Sequence, residues 1–197
     1  MEKINQHFIF DIGGVLISYD QHKLIDYLSR KHKTPIIDIE KLFTPDLLRK
    51  VETGKLSSNV FFSDYISQVL NISYDEWISS LMDNYEINEP GIRLLNMYKN
   101  NGHPVYILSN QAEYNAVAIR KKFPYFYKMC TKNFLSFEMG MFKPDIEIYQ
   151  AVCLGIGSSP DTCTFYDDMP DNVSGAIVAG MKGVLFSNNV AEKLLML

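Results

Sequence analysis

Asp11 closes the apolar run FIF and is followed by Ile12, Gly13 and Gly14. A carboxylate therefore stands at the tip of a strand-like segment, beside the most permissive backbone available. A tight turn capped by Asp11 would explain this, and so would a carboxylate facing a ligand that the glycines let the backbone approach. Three more clusters bear on the choice. Ser109-Asn110 follows PVYIL, Asp167-Asp168 follows TCTFY, and Lys143 precedes PDIEIYQAV. Ser, Asn and Asp are also preferred helix caps, so no single cluster decides. Three independent apolar runs that end this way on one edge are harder to explain by capping. Lys143 stands just before an expected helix N-terminus, where the helix dipole disfavours a cation. It makes sense there if it answers concentrated negative charge. Asp167, Asp168 and Asp171 crowd the stretch YDDMPDN, and a partly buried carboxylate cluster needs a cation to stabilise it. Hard oxygen donors suit Mg²⁺ better than a softer metal. His7, His22, His32 and His103 are scattered without zinc spacing and are read as structural or surface residues. The carboxylate, hydroxyl, lysine and acidic pair together suggest attack by Asp11 on an electrophilic phosphorus. That is covalent catalysis through an acyl phosphate, with cations balancing the charge.

Such a constellation needs elements that bring distant residues to one edge. The apolar runs at 7–10, 104–108, 162–166 and 183–186 are short, continuous and rich in Val, Ile, Phe and Tyr, as expected of strands buried on both faces. Helical patterns at 111–122, 144–154, 171–180 and 190–196, with a weaker strand near 128–131, complete an alternation that implies a parallel α/β sheet. Ligands of such sheets bind outside the carboxyl ends of the strands, near the point where strand order reverses. Between the first two strands the character changes. Segments 20–32, 44–52, 57–70, 74–84 and 88–100 are amphipathic with helical period, punctuated by Pro35, Pro45, Gly54 and Pro90-Gly91. Residues 18–86 are therefore expected to form an inserted helical cap, with 1–17 and 87–197 as the α/β core. Ser18, Tyr19 and Asp20, at the hinge, are candidate substrate contacts.

Composition narrows the function classes. The 197 residues are 47% hydrophobic and 21% charged, with net charge −4 and no long basic block, so neither a nucleic-acid nor an anionic-membrane surface is expected. No apolar stretch reaches the roughly 18 residues of a membrane span. The N-terminus shows no signal-peptide pattern. Cys130, Cys153 and Cys163 are widely spaced in apolar settings and are read as buried free thiols, consistent with a cytoplasmic location.

Across essentially its whole length the sequence resembles the haloacid dehalogenase-like (HAD) hydrolases. FIFDIGGVLI is similar to their motif I, VYILSN to motif II, GMFKPDIEIY to motif III, and TFYDDMPDNVSGAIVAGMKGVLF to the Asp-Asp form of motif IV. VETGKLS, with Glu52 and Gly54, resembles part of the helical cap of the C1 subfamily. The resemblance implies a Rossmann-like core with a helical cap, and a Mg²⁺-dependent phosphatase acting on a small phosphorylated metabolite, with sugar phosphates the first substrate class to test. It implies that Asp11 is the nucleophile and that Asp11, the Gly13 carbonyl and Asp168 hold Mg²⁺. Asp167 and Asn172 would stand behind them, Asn172 holding a metal-bound water. Ser109, Lys143 and the amides of Ile12, Gly13 and Asn110 would cradle the phosphate.

One departure matters. The family's usual acid/base Asp, two residues after the nucleophile, is replaced here by Gly13. General acid–base catalysis is worth about 10²–10⁴-fold, so its loss should slow hydrolysis of unactivated alkyl phosphates. A branch resembling sugar-1-phosphate phosphatases carries this Gly-Gly form. Two options follow for this chain: its substrate offers a better leaving group, such as an anomeric hydroxyl, or a water or substrate hydroxyl relays the proton. Gly13 also leaves open a catalytically reduced protein that only binds a phosphorylated ligand. A phospho-accepting receiver domain pairs Asp, Ser/Thr and Lys too, but there the acidic pair precedes the acceptor and no helical insertion occurs.

Overall fold

The computed structural model describes residues 6–196; residues 1–5 and 197 of the expected core lie outside them. Among the described residues, seven short strands carry the architecture. β1 (His7–Phe10), β4 (Val105–Ser109), β5 (Lys132–Leu135), β6 (Cys163–Asp167) and β7 (Lys182–Leu185) form a parallel sheet in the order β5-β4-β1-β6-β7. β2 (Ile17–Ser18) and β3 (Glu86–Ile87) pair as a small antiparallel ribbon. Helices cover both faces of the large sheet, giving a Rossmann-like α/β fold.

Side chains alternate along each strand, and the sheet therefore divides two apolar clusters. Phe8, Phe10, Val105, Ile107 and Tyr166 face one, while Ile9, Tyr106, Leu108, Cys163 and Phe165 face the other. Both faces being covered is why these strands read as unbroken apolar runs. β1 lies between β4 and β6, so strand order reverses beside it. Its register sets Phe10 level with Ile107 on one side and Tyr166 on the other. One residue further on, Asp11, the end of β4 and Asp167 must arrive at the same edge.

The helices between the ribbon strands span Gln21 to Asn84. They include the expected segments and two short turns that the pattern did not reveal, Ile36–Glu40 and Lys41–Phe43. The expected helix 57–70 runs from Ser58 to Leu70 but passes through a π-helical turn at Phe62–Ile66. This block docks on the sheet's carboxyl edge. Ser136 donates its hydroxyl to the Glu52 carbonyl, Tyr114 donates its backbone amide to Ser58 Oγ, and Arg49 pairs with Asp145.

Two expectations are corrected. The fifth strand is Lys132–Leu135, not 128–131; residues Phe126–Met129 form a 3₁₀ turn that buries Phe126. Phe134 and Leu135 can feed opposite apolar clusters from an extended backbone, a role the preceding residues do not fill. The helix after Lys143 begins at Ile146 with Asp145 as its cap residue, so Pro144 is not its first helical residue.

Candidate active site

Asp11 leaves the centre of the sheet immediately after β1, and its backbone amide still donates to the Tyr166 carbonyl at 2.9 Å. The chain then turns sharply, with Gly14 at φ +68°. The amides of Ile12 and Gly13 make no hydrogen bond to protein among the described residues, which leaves two donors beside Asp11.

Lys143 is the other centre of the site. Its side chain is 1% exposed, and its Nζ lies 2.6 Å from Asp167 Oδ2 and 3.0 Å from Asp11 Oδ1. It also donates to the Leu108 carbonyl at 3.3 Å. Asn110 clamps the lysine's backbone from β4: its Nδ2 donates to the Lys143 carbonyl and its Oδ1 accepts from the Lys143 amide, each at 2.9 Å. Burial alone would push the ammonium's pKa down, but Asp11 and Asp167 outweigh it and hold the group above its ordinary value. Lys143 is therefore a fixed, dry positive charge.

Asp167 holds that charge in place. It is fully buried. It accepts from Lys143, from the Met169 amide at 2.8 Å, and from Asn172 Nδ2 at 3.0 and 3.1 Å. With both oxygens engaged by protein donors, Asp167 is committed to orientation. Asn172 reaches Asp167 itself.

Asp11 is in the opposite condition. Burial pushes its carboxyl up to about 6, against the pull of Lys143 and the Ser109 hydroxyl. Its Oδ1 is buried and lacks a well-aligned hydrogen bond, although the ammonium is close. One ligand oxygen each of Asp11, Asp167 and Asp168 lies within 4.8 Å of the others. A buried carboxylate oxygen without a hydrogen bond, beside a further carboxylate that still meets solvent, is a donor set for a hard cation. Since Asp167 is taken by Lys143 and Asn172, Asp11 and Asp168 are the carboxylates free to ligate.

Asp168 packs against Gly14, where an added Cβ would lie 2.2 Å from Asp168 Oδ2. Gly14→Ala is therefore expected to displace Asp168 in addition to the roughly 1–2 kcal/mol that a left-handed backbone costs any L-residue. Gly140 (φ +67°) has open space at its Cβ position, so Gly140→Ala carries the backbone cost alone. Thermal melts should place Gly14→Ala clearly below Gly140→Ala.

Beyond Ser109 and Gly13 opens a cavity of about 140 Å³ between the sheet edge and the inserted helices. Tyr19, Glu52, Tyr85, Gln111, Tyr114 and Asn115 contribute to its wall. Of the hinge residues, Tyr19 lines the cavity, Ser18 pairs in the ribbon, and Asp20 caps the helix that follows. The structure thus brings Asp11, Ser109, Asn110, Lys143, Asp167, Asp168 and Asn172 together. Sequence reasoning missed two features: the side-chain clamp of Asn110, and Glu52 on the cavity wall.

The chain is similar to known proteins in both sequence and fold. A haloacid dehalogenase-like hydrolase family model matches residues 6–180, and the chain belongs to that family. The chain is 26% identical over 186 residues to the sesquiterpene phosphatase astK of Aspergillus oryzae, covering 93% of this chain and 90% of that one. It is also 26% identical over 196 residues to phosphatase MT3486 of Mycobacterium tuberculosis, covering 90% and 85%. The HAD family enzyme BT-2542 of Bacteroides thetaiotaomicron, solved with magnesium and inorganic phosphate, superposes with a TM-score of 0.80 at 26% identity, covering 93% and 94%.

Proposed function

We propose that this protein is a Mg²⁺-dependent phosphatase that cleaves a small phosphate monoester through a phospho-aspartyl intermediate on Asp11. The observation that carries the reading is the Lys143 ammonium, dry and fixed between Asp11 and Asp167, with Asp168 across the same edge. Lys143, the Ser109 hydroxyl and the amides of Ile12, Gly13 and Asn110 hold the phosphoryl oxygens. Asp11 attacks phosphorus, the ester oxygen departs into the cavity, and water then cleaves the acyl phosphate. Asp167 and Asn172 keep Lys143 in place throughout. Asp11, Asp168 and the Gly13 carbonyl are the groups that would hold Mg²⁺. The ion would neutralise phosphoryl charge. The magnesium and phosphate of the Bacteroides enzyme and the phosphatases among the relatives support this assignment.

Residues 18–86 act as a cap over a core of 1–17 and 87–197, shielding the phosphoryl group from bulk water and selecting the leaving group. The cavity is well below the roughly 300–1,000 Å³ typical of drug-sized ligands. Its wall mixes tyrosines with Glu52, Gln111 and Asn115, which suits a compact hydroxylated leaving group such as a sugar. A screen of sugar phosphates, nucleotides and phosphoglycolate, run with and without Mg²⁺, tests the reading. Phosphate release is expected to stop on chelation and return with Mg²⁺, with sugar phosphates turned over fastest. The lack of an acid side chain at Gly13 permits one rival, a protein that binds a phosphorylated ligand without cleaving it. Thermal stabilisation by phosphate, with no turnover across the screen, would establish that rival instead.

A further inference from the structure

An alkyl phosphate needs a proton for its departing oxygen and a base for the water that follows. Gly13 supplies neither, and its ideal Cβ position meets nothing within 4 Å. Gly13 and Ser109 line the cavity, and so does Glu52, the last residue of helix Pro45–Glu52. Among the described residues, four titratable side chains line this cavity: Tyr19, Glu52, Tyr85 and Tyr114. Burial pushes all three phenols further above their already high values. Glu52 is the remaining side chain there that can exchange a proton near neutrality.

Glu52 is also held in place without using its carboxyl. Among the described residues, the side-chain bond made to it runs from Ser136 Oγ to its backbone carbonyl. Ser136 is itself fully buried and accepts from the Gln111 amide at 2.9 Å. Arg49, one turn earlier on the same helix, pairs with Asp145 beyond Lys143, and the Gly54 Cα sits so close to the Phe137 carbonyl that a Cβ would lie 2.6 Å from it. These contacts fix the helix end over the site and leave both carboxyl oxygens free.

We propose that Glu52 is the catalytic acid and base of this site, reaching across the cavity to do what a side chain at position 13 would otherwise do. The proposal rests on the phosphatase reading. In the first step Asp11 bonds to phosphorus, the phosphorus–oxygen ester bond breaks, and the Glu52 carboxyl gives its proton to the departing oxygen. In the second, the Glu52 carboxylate takes a proton from water as that water's oxygen bonds to phosphorus. The bond to Asp11 then breaks, releasing phosphate and returning both carboxyl groups to their starting states. Burial, and after it the charge of Asp11, push the Glu52 carboxyl up to about 8 against the pull of Lys143, so it carries the proton it must deliver at neutral pH.

A double-mutant cycle of Glu52→Gln and Gly13→Asp tests this, using the full chain with Mg²⁺, phenyl phosphate and p-nitrophenyl phosphate. Glu52→Gln alone is expected to lose about 10²–10⁴-fold in kcat on phenyl phosphate, whose leaving group needs the proton. With p-nitrophenyl phosphate it should release a first equivalent of nitrophenolate rapidly and then stall, because the acyl phosphate lacks its base. In the Gly13→Asp background, the same Glu52→Gln change should cost less than about threefold, since an acid at 13 has room to take over. An equal loss in both backgrounds, or undiminished turnover by Glu52→Gln, overturns the proposal. Wild-type protein that hydrolyses neither ester overturns the phosphatase reading itself.

Discussion

Asp11→Asn is expected to abolish turnover, by on the order of 10⁴-fold or more, while leaving the protein as stable as the wild type or more so. The two halves of this expectation have one cause. Burial raises the Asp11 carboxyl to about 6 even with Lys143 beside it, so the folded protein binds that proton more tightly than the unfolded chain does. For a carboxylate with a raised folded-state pKa, stability falls as pH rises through the interval between the two values, and at neutral pH the charged form is a net cost. The isosteric amide removes that cost, and Lys143 keeps Asp167 as its partner at 2.6 Å. It also removes the nucleophile. Phosphate release and acid-quenched labelling from a radiolabelled ester should both vanish, whereas the melting temperature at pH 7.5 should hold or rise. Turnover within tenfold of wild type would show that Asp11 is not the attacking group. A large fall in melting temperature would show that its charge is structural.

How much of this site could be read beforehand depends on how local each feature is. Asp11, Ser109 and Asp167 lie at the ends of strands whose apolar runs are visible in the sequence, and a parallel sheet brings such ends to one edge whatever the details of packing. Lys143 was legible for a different reason, as a cation placed against a helix dipole. The division of labour between the two motif IV acids was legible only through the family resemblance, not from the residues themselves. Asp167 and Asp168 are neighbours in sequence, and only the backbone direction after β6 decides that one is buried against Lys143 while the other turns toward Gly14. The Asn110 clamp was hidden similarly, since it depends on where a loop 33 residues away returns. The misplaced fifth strand shows the opposite failure. A strand was expected near 128–131, but Phe126–Met129 form a 3₁₀ turn from which Phe126 buries its ring. Glu52 stood in a recognisable segment, yet its place on the cavity wall depends on how the inserted helices dock, a long-range outcome that no spacing encodes.

The second large effect is expected at Lys143. Lys143→Met keeps most of the side-chain volume and removes the charge that Asp11 and Asp167 share. Breaking a buried pair by deleting one partner typically costs about 3–5 kcal/mol, because the other charge is left uncompensated. For a protein of this length that corresponds to a fall of roughly 6–20 °C in melting temperature. An exposed pair makes the contrast. Lys121 and Asp75 lie 3.3 Å apart with half or more of each side chain in solvent, and Lys121→Met should cost no more than about 1 kcal/mol. The pH dependence carries the sign of the mechanism. Without the ammonium, the Asp11 carboxyl rises further above its already elevated value, so the folded variant takes up a proton more readily than the unfolded chain. Its deficit should be greatest above that pKa and should narrow as pH falls toward the ordinary carboxylate range. Melts at pH 8 and pH 5 should show the gap to wild type closing at the lower value. Adding Asp167→Asn to Lys143→Met should recover part of the loss at pH 8, because it removes one of the two stranded charges. A gap that is the same at both pH values, with no recovery in the double variant, would mean that Lys143 contributes through packing and not through the charge between its two carboxylates.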